Sequence, residues 1–182
     1  MSENIKSIDL GCGPDKVEGC FGVDNYKFDD VDLVCDLNQY PWPIDDNSFD
    51  VVYARQIIEH ITDAVAFLKE IHRIGKPGAE VHIETPHFSA ASSWGDITHL
   101  RHLSAKWHAS FTRPKHYLFY KLPEFKLVKN TIEFSHPKKL RNRITRLCIK
   151  MMGLHNWERK LSFIFRGENI YTILEVVKNN TK

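Results

Sequence analysis

The chain reads IDLGCGP over Ile8–Pro14 and FGVDN over Phe21–Asn25. An apolar strand runs into a Gly-x-Gly turn, and a second short apolar strand ends in the acid Asp24. Glycines at Gly11 and Gly13 let the backbone approach a ligand where a Cβ would collide, and a carboxylate at the end of the next strand can accept hydrogen bonds from ribose hydroxyls. The pair of strings predicts an α/β sheet that holds a nucleoside at the ends of its strands.

What the turn lacks narrows the nucleoside. A dinucleotide site needs a third small residue at the helix start and a full helix whose N-terminal amides receive the pyrophosphate. Here Lys16 stands at that position, and only Pro14–Gly19 separate the turn from the next strand. S-adenosylmethionine carries an adenosine without phosphate and needs no such helix. The Gly11–Gly13 turn and Asp9 can hold its methionine carboxylate and amine, and Asp24, with Asn25 beside it, its ribose. An ordinary strand and turn is the plainer reading of a lone Gly-x-Gly. An NAD-dependent reductase ranks last for want of the phosphate helix, and a cofactor-binding module without transfer activity stays open.

Further along come GVD, the acid of VCDLN, PIDDNSFDVVYARQIIEHI and FLKEIHRIGKPGAEVHIETP. In order and spacing, from about Ile5 to Pro86, these strings resemble the successive motifs of class I S-adenosylmethionine-dependent methyltransferases. Within that superfamily the chain is most similar to short bacterial and archaeal members that lack the helix after the first strand. Residues 85–102 and the end, LSFIFRGENIYTILEVV, extend the resemblance over nearly the whole chain. The resemblance implies S-adenosyl-L-methionine as cofactor and a Rossmann-like, mostly parallel seven-stranded sheet with reduced helices in its N-terminal half. The stretch from Pro137 to Trp157 resembles the group least, and a helical insertion before the last strand is expected there from its own residue pattern. Association of that group with surface-polysaccharide synthesis makes a small or glycan-type hydroxyl the leading acceptor.

Length and composition fit one domain over 1–182: 182 residues, 42% of them hydrophobic, can fill a single core. Within it, 5–90 reads as the cofactor half, 91–124 as an acceptor-side loop and helix, and 137–167 as a basic helical insertion. No apolar run reaches the length of a membrane span, and MSENIKSIDL lacks a signal-peptide pattern, so a cytoplasmic protein is expected. Cys12, Cys20, Cys35 and Cys148 show no paired ligand spacing and read as free thiols.

Strands are expected at 7–10, 21–23, 32–34, 49–53, 80–84, 126–134 and 170–177, the last two forming an antiparallel edge. Ala64, Phe67, Leu68, Ile71 and Ile74 recur at helical spacing, and Lys76, Pro77 and Gly78 are expected to end that helix. The linkers joining the first four strands can cross back when extended but not while coiled into helices. One face of the half-sheet is therefore expected to need cover from the C-terminal helical region or from a second subunit, leaving a homodimer open.

The resemblance also assigns site residues. Cys12 is expected to line the cofactor pocket. Asp36 faces the adenine amino group, with a turn-forming Asx residue as the plainer alternative, and Leu37 lies against the ring. Ala54 and Arg55 pass beneath the methionine moiety. Methyl transfer needs mainly in-line positioning, and a hydroxyl acceptor also needs a base. His87 leads for that role, because it leaves the sheet edge directly, followed by His102 and His99, with His60 the other contender. A metal bound by His87, His99, His102 and His108 with Asp96 is set aside for want of acidic partners.

Between Lys138 and Arg166 lie nine of the chain's 25 Lys and Arg against one of its 23 acids, leaving 16 basic and 22 acidic residues elsewhere. Leu140, Ile144, Leu147, Cys148 and Met151 fall on one helical face after Pro137 and before Gly153. The stripe is expected to pack on protein while the cations face water. An anionic acceptor or contact with an anionic inner membrane surface through 138–166 are the functional alternatives. Nucleic acid ranks below both, since aromatic and basic residues do not interleave.

Overall fold

The computed structural model describes residues 5–178. Seven strands, β1 (Ser7–Leu10), β2 (Phe21–Asp24), β3 (Leu33–Val34), β4 (Phe49–Arg55), β5 (Gly75–Pro86), β6 (Phe125–Glu133) and β7 (Asn169–Val176), form one sheet. Their order is β3-β2-β1-β4-β5-β7-β6. Only β7 runs against its neighbours; every other pairing is parallel. The last two strands form the expected antiparallel edge, with β7 reversed and inserted between β5 and β6. The residues explain the insertion: Ile170, Thr172, Leu174 and Val176 of β7 are all buried, whereas β6 exposes Lys126, Lys129 and Glu133, the charges of an edge strand.

Helix α1 (Ala64–Ile74) is the first helix among the described residues, so β1 to β4 are joined by irregular chain alone. Asp63 caps α1, its Oδ1 accepting the Val65 and Ala66 N–H groups at 2.9 Å each. Phe67, Leu68, Ile71 and Ile74 face the sheet. The helix stops at Ile74 without the expected Lys76–Gly78 loop. Gly75 pairs at once with Phe49, and the Pro and Gly fall in a register shift at the start of β5.

The two faces of the sheet differ in kind. On one, Ile8, Leu10, Val52, Ala54, Val81, Ile83 and Leu174 make the core with α1. The chain after β3 takes the place of a helix there, setting Trp42 edge-on against Phe67 at 5.5 Å between ring centroids. Arg73 fastens this segment to α1 by reaching Glu70, Asp46 and the carbonyls of Ile44 and Trp42. The other face presents Ser7, Tyr53, Arg55, Glu80, His82, Glu84 and Tyr171, none of them buried. Tyr53 and His82 lie side by side, and His82 Nδ1 meets the Tyr171 hydroxyl at 2.7 Å. A parallel sheet usually has both faces covered. Here the missing helices are replaced largely by polar residues, with Val51 and Ile173 half-buried among them.

The remaining helices are α2 (Ala91–Gly95), α3 (Ala109–Thr112), α4 (Pro114–Tyr120), α5 (Leu140–Met152) and α6 (Leu154–Lys160). Helix α5 begins three residues after Pro137, and it packs a face rotated from the one expected: of the expected stripe Cys148 packs and Ile144 is half-buried. Asn142 and Thr145 are fully buried, with Cys148, Ile149 and Met152 against Trp157 and Ile170, while Leu140, Leu147 and Met151 are exposed. Hydrogen bonding turned the helix: Asn142 Nδ2 donates to Glu168 Oε1 and to the His136 carbonyl at 3.0 Å each.

Candidate functional site

The strand order reverses between β1 and β4, and ligands in open α/β sheets bind outside the carboxyl ends of the strands at such a point. A cleft lies there, lined by Gly11, Asp24, Asn25, Cys35, Asp36, Leu37, Asn38, Ile57, His60 and Ile61. Six of the residues named from sequence meet in it: Gly11, Asp24, Asn25, Asp36, Leu37 and His60. Cys35, Asn38, Ile57 and Ile61 were missed. Their signal is only adjacency to the acid of VCDLN and to the string after β4.

Gly11 has φ +67°, and an added Cβ would stand 2.8 Å from the Ile57 side chain, so this position needs glycine twice over. Asp24 closes the turn: its Oδ2 accepts the Gly13 N–H at 2.9 Å and its Oδ1 the Tyr26 N–H at 3.0 Å. Each oxygen keeps a second lone pair. Asp36 makes the Asx turn foreseen as its plainer role, accepting the Asn38 N–H at 2.9 Å, and still lines the cleft.

Asp9, Cys12, Gly13, Ala54 and Arg55 lie outside the lining. Asp9 is fully buried, and its Oδ2 accepts the Val17 N–H at 2.9 Å and Arg55 Nη2 at 2.8 Å. Arg55 also donates to the Asp15 carbonyl at 2.7 Å. Together they tie down the coil that replaces the absent helix. Asp9 Oδ1 is buried without a partner. Ala54 is buried within β4, and Cys12 is 6% exposed, its thiol pushed up by burial and then by Asp9 and Asp24.

Beside this cleft a second, wider one is lined by Gln56, Glu59, His60, Pro86, Ser92, Gly95, Asp96, Ile97 and His99. His60 borders both. The histidines expected as bases separate accordingly. His99 lies in the second cleft. His102 is exposed, stacked on Trp94 with its Nδ1 3.0 Å from the Ser93 hydroxyl. His87 is corrected: it is fully buried, with Nδ1 2.7 Å from Ser89 Oγ, Nε2 3.1 Å from Glu158 Oε1, and Trp157 against its ring. It leaves the sheet edge as expected, but α6 closes over it and no acceptor can reach it. Burial raises the Glu158 pKa, yet the hydrogen bonds from His87 and the Ala105 N–H outweigh it and hold the carboxyl below its ordinary range.

Residues 22–83 match the methyltransferase domain family. An uncharacterised methyltransferase of Schizosaccharomyces pombe is 45% identical over 42 residues, 23% of this chain and 15% of that protein's length. A SAM-dependent methyltransferase from Archaeoglobus fulgidus superposes with a TM-score of 0.59 at 18% identity, over 94% of this chain and 86% of its own. The complex of the Haloferax volcanii Trm112 methyltransferase activator with a methyltransferase gives 0.57 at 17%, over 97% and 84%. With the strand order and the one reversed strand, these likenesses define the class I methyltransferase fold. Residues 22–83 thus carry the likeness to the methyltransferase domain, and the described chain has the fold of S-adenosylmethionine-dependent methyltransferases.

The residues present fit that cofactor. The glycine turn leaves room for backbone approach, Asp24 keeps free lone pairs in the cleft, and Asp36 and Leu37 line it beside them.

Proposed function

We propose that the chain transfers the methyl group of S-adenosylmethionine to a hydroxyl of a small or glycan-type acceptor. The observation that carries this reading is the junction at His60 of a nucleoside-sized cleft and an open polar one. In the first, Asp24 and Asn25 hold the ribose, Asp36 the adenine amino group, and Leu37 the ring. Gly11, with Cys12 and Gly13 behind it, carries the methionine moiety, and the buried Asp9 carboxylate lies beneath the turn. Arg55 and Ala54 hold this floor in place. Residues 5–90 thus serve mainly the cofactor, with Gln56, Glu59, His60 and Pro86 joining residues of 91–124 at the acceptor cleft.

The second cleft would hold the acceptor oxygen in line with the S–CH3 bond. As it attacks, the C–O bond forms and the C–S bond breaks, S-adenosylhomocysteine leaves neutral, and the hydroxyl proton passes to a basic group or water of the cleft. Alignment supplies most of the acceleration, since the sulfonium is already an activated donor. The polar side chains lining this cleft are Gln56, Glu59, His60, Ser92, Asp96 and His99. Incubation with S-adenosylmethionine and a panel of hydroxylated sugars and phenols, reading S-adenosylhomocysteine release, tests the reading. Release that depends on acceptor supports it, and binding without turnover on any acceptor favours a cofactor-binding module.

Helix α5 supports contact with an anionic lipid surface through 138–166. Leu140, Leu147 and Met151 are exposed there among Arg143, Arg146 and Lys150, and Phe163 and Ile164 are exposed nearby in sequence. Apolar residues set among cations suit an interface of lipid headgroups.

A further inference from the structure

Glu59, His60 and His99 each bring one ligand atom into a group whose members lie within 4.8 Å of one another, on the wall of the acceptor cleft. What holds the far end of each side chain matters more than the distance. Glu59 is 1% exposed, and the Thr85 hydroxyl donates to its Oε2 at 2.9 Å, while Oε1 is buried with no partner. A buried carboxylate oxygen without a donor costs free energy and calls for a ligand.

The two imidazoles are oriented in the same sense. His60 Nδ1 faces the Thr98 carbonyl at 3.3 Å and the Thr98 hydroxyl at 3.0 Å, and that hydroxyl spends its own proton on Asp96 Oδ1 at 2.6 Å. Nδ1 of His60 therefore carries the hydrogen and donates. His99 Nδ1 lies 2.9 Å from the Ser93 carbonyl, which can only accept, so it also donates. In both rings Nε2 is left as the lone pair. This is how metal-ligating histidines are held: the outer nitrogen donates to a carbonyl or carboxylate and fixes the tautomer for the inner one. Asp96 Oδ2, 3.8 Å from His99 Nε2, adds a further oxygen at the rim.

We propose that Glu59 Oε1, His60 Nε2 and His99 Nε2 bind a divalent transition-metal ion. Two imidazoles with one carboxylate suit Mn2+, Co2+ or Zn2+, whereas Mg2+ and Ca2+ prefer all-oxygen shells. Sequence reading set a metal aside because it grouped the histidines with Asp96 and overlooked Glu59, which lies next to His60 in IIEH. Three protein ligands leave coordination positions open to the cleft. On the methyl-transfer reading, on which this role rests, they take the acceptor hydroxyl together with a neighbouring oxygen of the same molecule, which selects vicinal diols or similar chelating pairs. Coordination also lowers the pKa of the hydroxyl that is to be methylated.

The test is titration of metal-free protein with MnCl2, free Mn2+ being read by electron paramagnetic resonance, in wild type, Glu59→Gln, His99→Ala and, as a control outside the cluster, His102→Ala. One Mn2+ per chain is expected in wild type and His102→Ala, with affinity at least about tenfold weaker in His99→Ala and Glu59→Gln. Should Glu59→Gln fail to fold, His99→Ala decides alone. Absence of saturable one-to-one binding in wild type, or equal affinity in His99→Ala, overturns the site. S-adenosylhomocysteine binding is measured on the same samples. Its absence defeats the methyl-transfer reading and leaves the metal site standing, whereas Mn2+ failure with cofactor binding intact does the reverse.

Discussion

The backbone N–H of Gly13 donates to Oδ2 of Asp24 across 2.9 Å, so the acid at the end of β2 holds the glycine turn at the end of β1. The glycine turn and the carboxylate that the proposed function assigns to the ribose are one hydrogen-bonded unit. Asp24→Ala is expected to weaken S-adenosylhomocysteine binding by about 1–3 kcal/mol, combining a lost charged acceptor with a loosened turn. Calorimetry returning wild-type affinity would remove Asp24 from the site.

His87 is a structural residue in this account. His87→Ala removes one buried partner from Glu158 and one from Ser89, leaving them the Ala105 and Gly167 N–H groups, and should lower stability by about 2–4 kcal/mol while sparing cofactor affinity in the folded fraction. A variant that melts like wild type but loses turnover would restore His87 as a base.

Glu158 gives the same network a pH signature. Its folded pKa lies below the ordinary 4.5, so the ionised form contributes stability that is present above that value and lost as pH falls through the folded pKa. Glu158→Gln should be less stable than wild type at neutral pH, with the gap closing below about pH 4.5. Parallel melting curves from pH 7 to pH 3 check this; a constant gap would mean the carboxylate charge contributes nothing.

The sheet and the cofactor edge were legible in the sequence because their signals are local: Gly11 and Asp24 lie in short strings whose backbone needs are fixed by neighbours. Helix α1 was legible from its apolar spacing. The burial of His87 was not, because it depends on Glu158, far along the chain. The packed face of α5 was misread for the same reason, since the hydrophobic stripe points to Leu140 and Met151 while Asn142 finds Glu168 and turns the helix. The uncovered sheet face was read as a problem of apolar exposure, although Tyr53, His82 and Tyr171 already stood at alternate positions of its strands.

The rotated face of α5 makes opposed predictions for its residues. Asn142→Ala removes a buried donor of two hydrogen bonds and should cost about 1–3 kcal/mol. Met151→Asp, on a side chain 78% exposed, should leave the melting temperature unchanged and weaken binding to vesicles containing anionic lipid. Vesicle sedimentation with wild type and Met151→Asp reads the second effect. Equal binding by the two proteins would reduce α5 to a solvent-facing cover.

The most direct measurement is calorimetric titration of the purified chain with S-adenosylhomocysteine and, separately, with NAD+. The glycine turn closed by Asp24, with no helix after β1 to receive a pyrophosphate, predicts one-to-one S-adenosylhomocysteine binding in the micromolar range and none by NAD+. Micromolar NAD+ binding with no response to S-adenosylhomocysteine would contradict the account.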